Sequence, residues 1–134
     1  MSGWNTGIIE EFRANAGIVG GVFEGKPILL LHHVGAKSGM ARVNPLMYHR
    51  EANTIYVFAS KEGADTNPDW YYNVKANADI TIEVGTARLA MKATEIYGAE
   101  RDRVYDAHAE NFPQFAAYQE GTDRTIPVVA LTPA

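Results

Sequence analysis

Residues 28–60, ILLLHHVGAKSGMARVNPLMYHREANTIYVFAS, decide the fold. Ile28 to Val34 is an apolar run rich in strand formers, and Gly35-Ala36-Lys37-Ser38-Gly39 is a turn. A second strand is expected from Arg42 to Arg50, a hairpin loop at Glu51-Ala52-Asn53, and a third strand from Thr54 to Ser60. Links this short join strands side by side in opposite directions, whereas parallel pairing needs a crossover of a dozen residues or more.

The same pattern continues on both sides. Residues 79–84 and 87–96 form another hairpin turned at Gly85-Thr86, and Ile126 to Leu131 reads as a final strand. Between them, Pro68 to Val74 opens a helix with proline in its first turn. Residues 100–111 and 113–120 are expected to be helical, and Thr6 to Asn15 an amphipathic helix with Ile8, Ile9 and Phe12 on one face. Strands do not alternate with crossover helices, so a Rossmann sheet is disfavoured. The expected fold is α+β, a six-stranded antiparallel barrel with flanking helices, in one domain spanning residues 1–134. Residues 1–25 supply its N-terminal helix and glycine-rich lead-in, broken at Gly17, Gly20, Gly21 and Gly25.

Composition narrows the chemistry. With 134 residues, 46% hydrophobic and 21% charged, the chain has the make-up of an ordinary globular protein. A net charge of −4 opposes nucleic-acid binding. The absence of cysteine excludes disulfides, thiolate metal sites and cysteine nucleophiles. No His, Asp and Glu cluster has metal-ligand spacing, and His32 and His33 are adjacent on a strand and point to opposite faces. No phosphate-binding loop, dinucleotide fingerprint or nucleophile elbow is found. Residues 1–5 lack a basic segment followed by an apolar core, so no signal peptide is expected and the cytoplasm is the default. The plain reading of the N-terminal helix is packing on the barrel. A sharper one is peripheral membrane contact through Trp4, Ile8, Ile9 and Phe12.

Four stretches can carry chemistry. The turn and strand from Val34 to Leu46 place Lys37, Ser38 and Arg42 among glycines, a set suited to an anion such as phosphate or carboxylate. Ser60-Lys61 adds a second hydroxyl and cation. Asn67 to Asn73 is dense in aromatic residues that could wall a flat ring. Phe112, Phe115 and Tyr118 recur at helical spacing, a pattern that more often marks core.

In this order and spacing the chain resembles the deazaflavin (F-420)-dependent nitroreductase family of actinobacteria. The match is carried by GAKSGMARVNPL (residues 35–46), ASKEGADTNPDWYYN (59–73), Asn77-Ala78-Asp79, Ile82 to Gly85, and the opening Ile8 to Asn15. The resemblance implies a split β-barrel that binds coenzyme F-420 in a groove. On it, Lys37, Ser38, Arg42 and Lys61 meet the phosphate and oligoglutamate tail. Asn44, Pro45 and Leu46 lie beside the ring, Ala59 and Ser60 near the reaction centre, and Trp70 and Asn73 on a flanking helix. The implied reaction is hydride transfer to an organic acceptor, with Ser60 and Tyr118 as candidates for polarising it. The implied substrate pocket is Met47, Phe112, Phe115 and Tyr118, where a nitroimidazole-reducing relative carries tyrosines. Only Tyr118 keeps its hydroxyl, which favours a lipophilic quinone over a nitroaromatic acceptor. An F-420 carrier without turnover and an FMN-binding split-barrel protein are the alternatives.

Overall fold

The computed structural model describes residues 3–134, with side chains from residue 6 onward except Val22. The elements run α1 (Gly3–Ala14), β1 (Ile28–Val34), β2 (Ala41–Glu51), β3 (Thr54–Phe58), α2 (Asp69–Ala76), β4 (Asp79–Val84), β5 (Ala87–Ile96), α3 (Gly98–Asn111), α4 (Gln114–Glu120) and β6 (Val128–Pro133). The six strands close into an antiparallel barrel in the order β1-β2-β3-β6-β5-β4, with β4 returning to β1. None of the described helices is long and apolar enough to cross a membrane.

Side-chain alternation sorts the strands into faces. Leu29, Leu31, Ile55, Val57, Ile80, Ile82, Val129 and Leu131 fill the barrel interior. Ile28 and Leu30 point outward beneath Ile8, Ile9 and Phe12 of α1. Both faces of β1 are therefore buried, which explains the unbroken run ILLL. Tyr56, Phe58, Val128 and Ala130 face the other way, beneath Val104, Tyr105 and Phe115 of α3 and α4. Fully burying such a side chain contributes roughly 1.5–3 kcal/mol.

Burial of Ile8, Ile9 and Phe12 settles the use of the apolar face of α1: it is spent on the barrel, as the plain reading held. The Trp4 side chain lies outside the described residues. Arg13 and His32 both reach Glu83 on β4, at 2.8 and 2.6 Å, and latch the helix down. Gly17 passes so close to Gly85 that an added Cβ would lie 2.7 Å from its Cα.

Several boundaries differ from the expected ones. α1 begins and ends earlier than Thr6–Asn15, and α3 starts two residues before Glu100. β3 stops at Phe58 because Ser60 turns into the helical region and Lys61 and Glu62 are left-handed. β6 begins at Val128, not Ile126. Pro127 has no N–H for a ladder, and Ile126 bonds to Gln119 and Arg101 instead.

Candidate functional site

A cleft opens at one end of the barrel, between the β1–β2 end and α2. Its first lobe, about 510 Å³, is lined by His33, Met40 to Asn44, Lys61, Pro68, Asp69 and Trp70. A second lobe of similar volume is lined by residues 35–38, Arg42, Asp69, Tyr72 and Asn73. Arg42 and Asp69 line both, so the two lobes adjoin. The combined space suits an extended organic ligand.

The second lobe has the donors for an anion. Within the turn, Gly35 donates to Met40 O, Gly39 to Gly35 O and Met40 to Ser38 Oγ. Ala36 donates to Asn73 Oδ1 at 2.8 Å. Among the described residues the amides of Lys37 and Ser38 have no acceptor in the protein, and neither the Lys37 nor the Arg42 side chain forms an ion pair. A Cβ at Gly35 would stand 2.5 Å from Ser38 Oγ, so a larger residue would push that hydroxyl from its place in the turn. Two cations without acidic partners beside two free amides fit a phosphate or carboxylate chain. Asp69 is the one carboxylate in the lining.

The first lobe is walled by an aromatic residue. Trp70 is 4% exposed, with one part in the barrel core and another at the cleft. Its helix is tied to β5 by Tyr71 and Lys75, which donate to the same Glu95 oxygen at 2.5 and 3.0 Å. Burial and that carboxylate push the Tyr71 hydroxyl up to about 12, so it stays a donor at neutral pH.

The third wall is the loop after β3. Lys61 and Glu62 hold φ of 46° and 55°, a conformation that costs on the order of 1 kcal/mol or more per non-glycine residue. Arg124 compensates from the far end of the chain. Its guanidinium donates to the carbonyls of Ala59, Ser60 and Ala64 and to Asn67 Oδ1, at 2.7 to 3.1 Å. Burial lowers its pKa from the ordinary arginine value. Arg124 carries no local sequence signal for this role, because its partners lie 57 to 65 residues away.

Of the residues expected from the sequence, Lys37, Ser38, Arg42, Asn44, Lys61, Trp70 and Asn73 converge on the cleft. Pro45 and Ser60 flank lining residues. Leu46 and Ala59 instead pack with the barrel core behind the cleft. Met47, Phe112, Phe115 and Tyr118 are brought together, but as packed members of the outer aromatic cluster, with Phe115 buried. Tyr118 is the member whose main chain borders the loop that carries Lys61. A Cβ added at Gly63, in the turn after Lys61, would lie 3.0 Å from its carbonyl oxygen. The Tyr118 hydroxyl pKa is raised, by burial and then by the charge of Glu62, so it remains protonated.

Comparison with known proteins identifies relatives of the whole chain. A family described as F420H(2)-dependent quinone reductase matches residues 6–133. A Mycobacterium tuberculosis protein described as an F420H(2)-dependent quinone reductase is 37% identical over 125 residues, 90% of this chain and 84% of its own. The solved structure of an F420-H2 dependent reductase, FDR-A, superposes with TM-score 0.72 at 40% identity, over 78% of this chain and 93% of that one. A structure described as a domain-swapped dimer gives TM-score 0.74 at 37% identity, over 94% of this chain and 92% of that one.

Proposed function

The chain belongs to the F420H(2)-dependent quinone reductase family, and on that premise we propose how its cleft performs the reaction. It is an oxidoreductase that uses reduced coenzyme F-420 and reduces a quinone. The bound coenzyme supplies the hydride. The chain's part is to bind, orient and exclude water.

Lys37, Arg42 and the amides of Lys37 and Ser38 take the phosphate and the start of the glutamate tail. Lys61, which donates to Thr66 at 3.1 Å, adds a cation on the opposite wall. Trp70 offers an apolar wall for the deazaflavin ring, and Asn44 a hydrogen-bond donor at its edge. Pro45 and Ser60 border this space, while Leu46 and Ala59 stiffen the barrel beneath it. Ser60 and Tyr118 are the hydroxyls that polarise the acceptor. The apolar surroundings of Tyr118, with Met47, Phe112 and Phe115, favour a flat quinone over a nitro compound.

The observation that carries this reading is the presence of unpaired Lys37 and Arg42 beside free turn amides, on a protein of net charge −4. Titrating the Trp fluorescence with F-420 and with FMN tests it. F-420 binding should be tighter than FMN binding and weaken in Lys37→Ala and Arg42→Ala. Preference for FMN would overturn the cofactor assignment. Binding of F-420 with no turnover of any quinone would convert the reading to a carrier.

A further inference from the structure

His33 sits on the barrel-interior side of β1 where it opens into the cleft, and is only 4% exposed. Both of its ring nitrogens are engaged, and one fixed point decides where its proton lies. The Ala36 main-chain N–H can only donate, and it meets Asn73 Oδ1. The other terminal atom of Asn73 is therefore its amide nitrogen, which donates to His33 Nδ1 at 3.1 Å. A neutral imidazole that accepts at Nδ1 carries its proton on Nε2. That N–H donates to Asn44 Oδ1 at 2.7 Å. Asn44 is thereby held with its amide N–H2 turned away from His33, without an acceptor in the described residues, on a side chain that lines the cleft.

Resting on the deazaflavin reading above, we propose that His33 is a positioning residue for cofactor binding. As the neutral Nε2–H tautomer it fixes Asn44 as a donor to carbonyl acceptors of the ring, and fixes Asn73 on the turn that takes the phosphate. Ala36, Asn73, His33 and Asn44 form one chain of hydrogen bonds running in a single direction. It joins the anion lobe to the ring lobe. A second proton on Nδ1 would face the Asn73 amide hydrogens, forcing that amide to flip and abandon the Ala36 N–H. The surroundings oppose such protonation. Burial acts first to lower the His33 pKa and the charges of Arg42 and His32 add to it, against the raising effect of the Asn44 bond. Lys61 and Asp69 are the other charged groups lining the same lobe.

The role is invisible to a search for metal spacing or nucleophile motifs, because the partners of His33 lie 11 and 40 residues away. It is also distinct from simple core filling. Leucine would fill a similar volume but leave the Asn44 amide free to rotate and the Asn73 amide nitrogen without its acceptor.

The test uses the full chain and two readouts. Ring nitrogen NMR of the cofactor-free protein should show His33 with its proton on Nε2. F-420 affinity is then measured by fluorescence for wild type, His33→Leu, His33→Gln, Asn44→Ala and the His33→Leu/Asn44→Ala pair. His33→Leu should weaken binding about fivefold, since one oriented hydrogen bond is worth roughly 1 kcal/mol. Glutamine, which has one acceptor and one donor end, should restore most of it. In the Asn44→Ala background the leucine change should cost clearly less than it does alone. A proton found on Nδ1, His33→Gln binding no better than His33→Leu, or full additivity of the pair would overturn the proposal. The tautomer and the His33→Gln affinity decide it even if His33→Leu does not fold. Wild type that shows the Nε2–H tautomer but fails to bind F-420 would overturn the cofactor reading instead.

Discussion

His33 and His108 are the two buried histidines among the described residues, and they have opposite surroundings. His33 has a partner on each nitrogen and borders the cleft. His108, on α3, has no hydrogen-bond partner on either nitrogen. It is stacked on Phe58 with ring centroids 4.2 Å apart and boxed in by Phe112, Phe115 and His49. A buried polar group without a partner costs about 1–3 kcal/mol, a burden most packed interiors avoid. The cleft is thus a region where polar groups are arranged around a ligand-sized space. The aromatic box is a region where packing prevails and one polar group is sacrificed to it. That difference supports the proposed placing of the cofactor at the β1–β2–α2 end, with the α3–α4 layer as support and Tyr118 at its edge.

The largest effect should come from removing the clamp that shapes the cleft. Arg124→Met removes the guanidinium donor from the carbonyls of Ala59 and Ala64, and leaves Ser60 O with the Gly63 N–H alone. Urea unfolding should show a loss of roughly 3 kcal/mol, and F-420 binding should fall with it. An intact affinity would show that the Lys61 loop holds its shape unaided, and would weaken the contrast.

Acid should strike the other region. Burial, followed by the charge of His49, lowers the His108 pKa to about 4, whereas the unfolded chain has the ordinary value near 6.5. The unfolded state then binds the extra proton between those two values. Stability contributed by neutral His108 is fully present above about pH 6.5 and is lost as pH falls toward about 4, by on the order of 3 kcal/mol. His108→Leu should flatten this acid loss and raise neutral-pH stability by about 1 kcal/mol, with F-420 affinity unchanged. Loss of affinity in that variant would mean that the aromatic box belongs to the binding site.

Smaller effects separate binding from folding. Arg42→Ala should weaken F-420 binding about tenfold while the unfolding midpoint stays put, because the side chain has no hydrogen-bond or ion-pair partner among the described residues. The loss should shrink in high salt. Smallest of all, Arg13→Gln should cost under about 1 kcal/mol of stability, since that side chain is half exposed at its pair with Glu83. Thermal unfolding at low and high salt checks it.

Much of the fold was legible because the signals are local. The alternation in β3, the hairpin loop at Ala52 and the Gly85 turn lie within a few residues of what they determine. The cations and amides of the Gly35 to Arg42 turn were legible for the same reason. What was not legible depends on distant pairing. The strand expected from Ile126 starts late because Arg101 and Gln119 claim the Ile126 main chain. His33 and Arg124 gain meaning only once the barrel brings residues 11 to 65 positions away to their side chains. Phe115 and Tyr118 share a helix as their spacing suggests, but Phe112 sits between α3 and α4 with non-helical dihedrals and joins them only through packing around Phe58.

The most direct test is a crystal structure of the full chain with F-420. The account predicts the phosphate at Lys37, Ser38 and Arg42, and the ring beside Trp70 within hydrogen-bond reach of Asn44. A ring seated among Phe112, Phe115 and His108, or a tail that avoids the Gly35 turn, would contradict it.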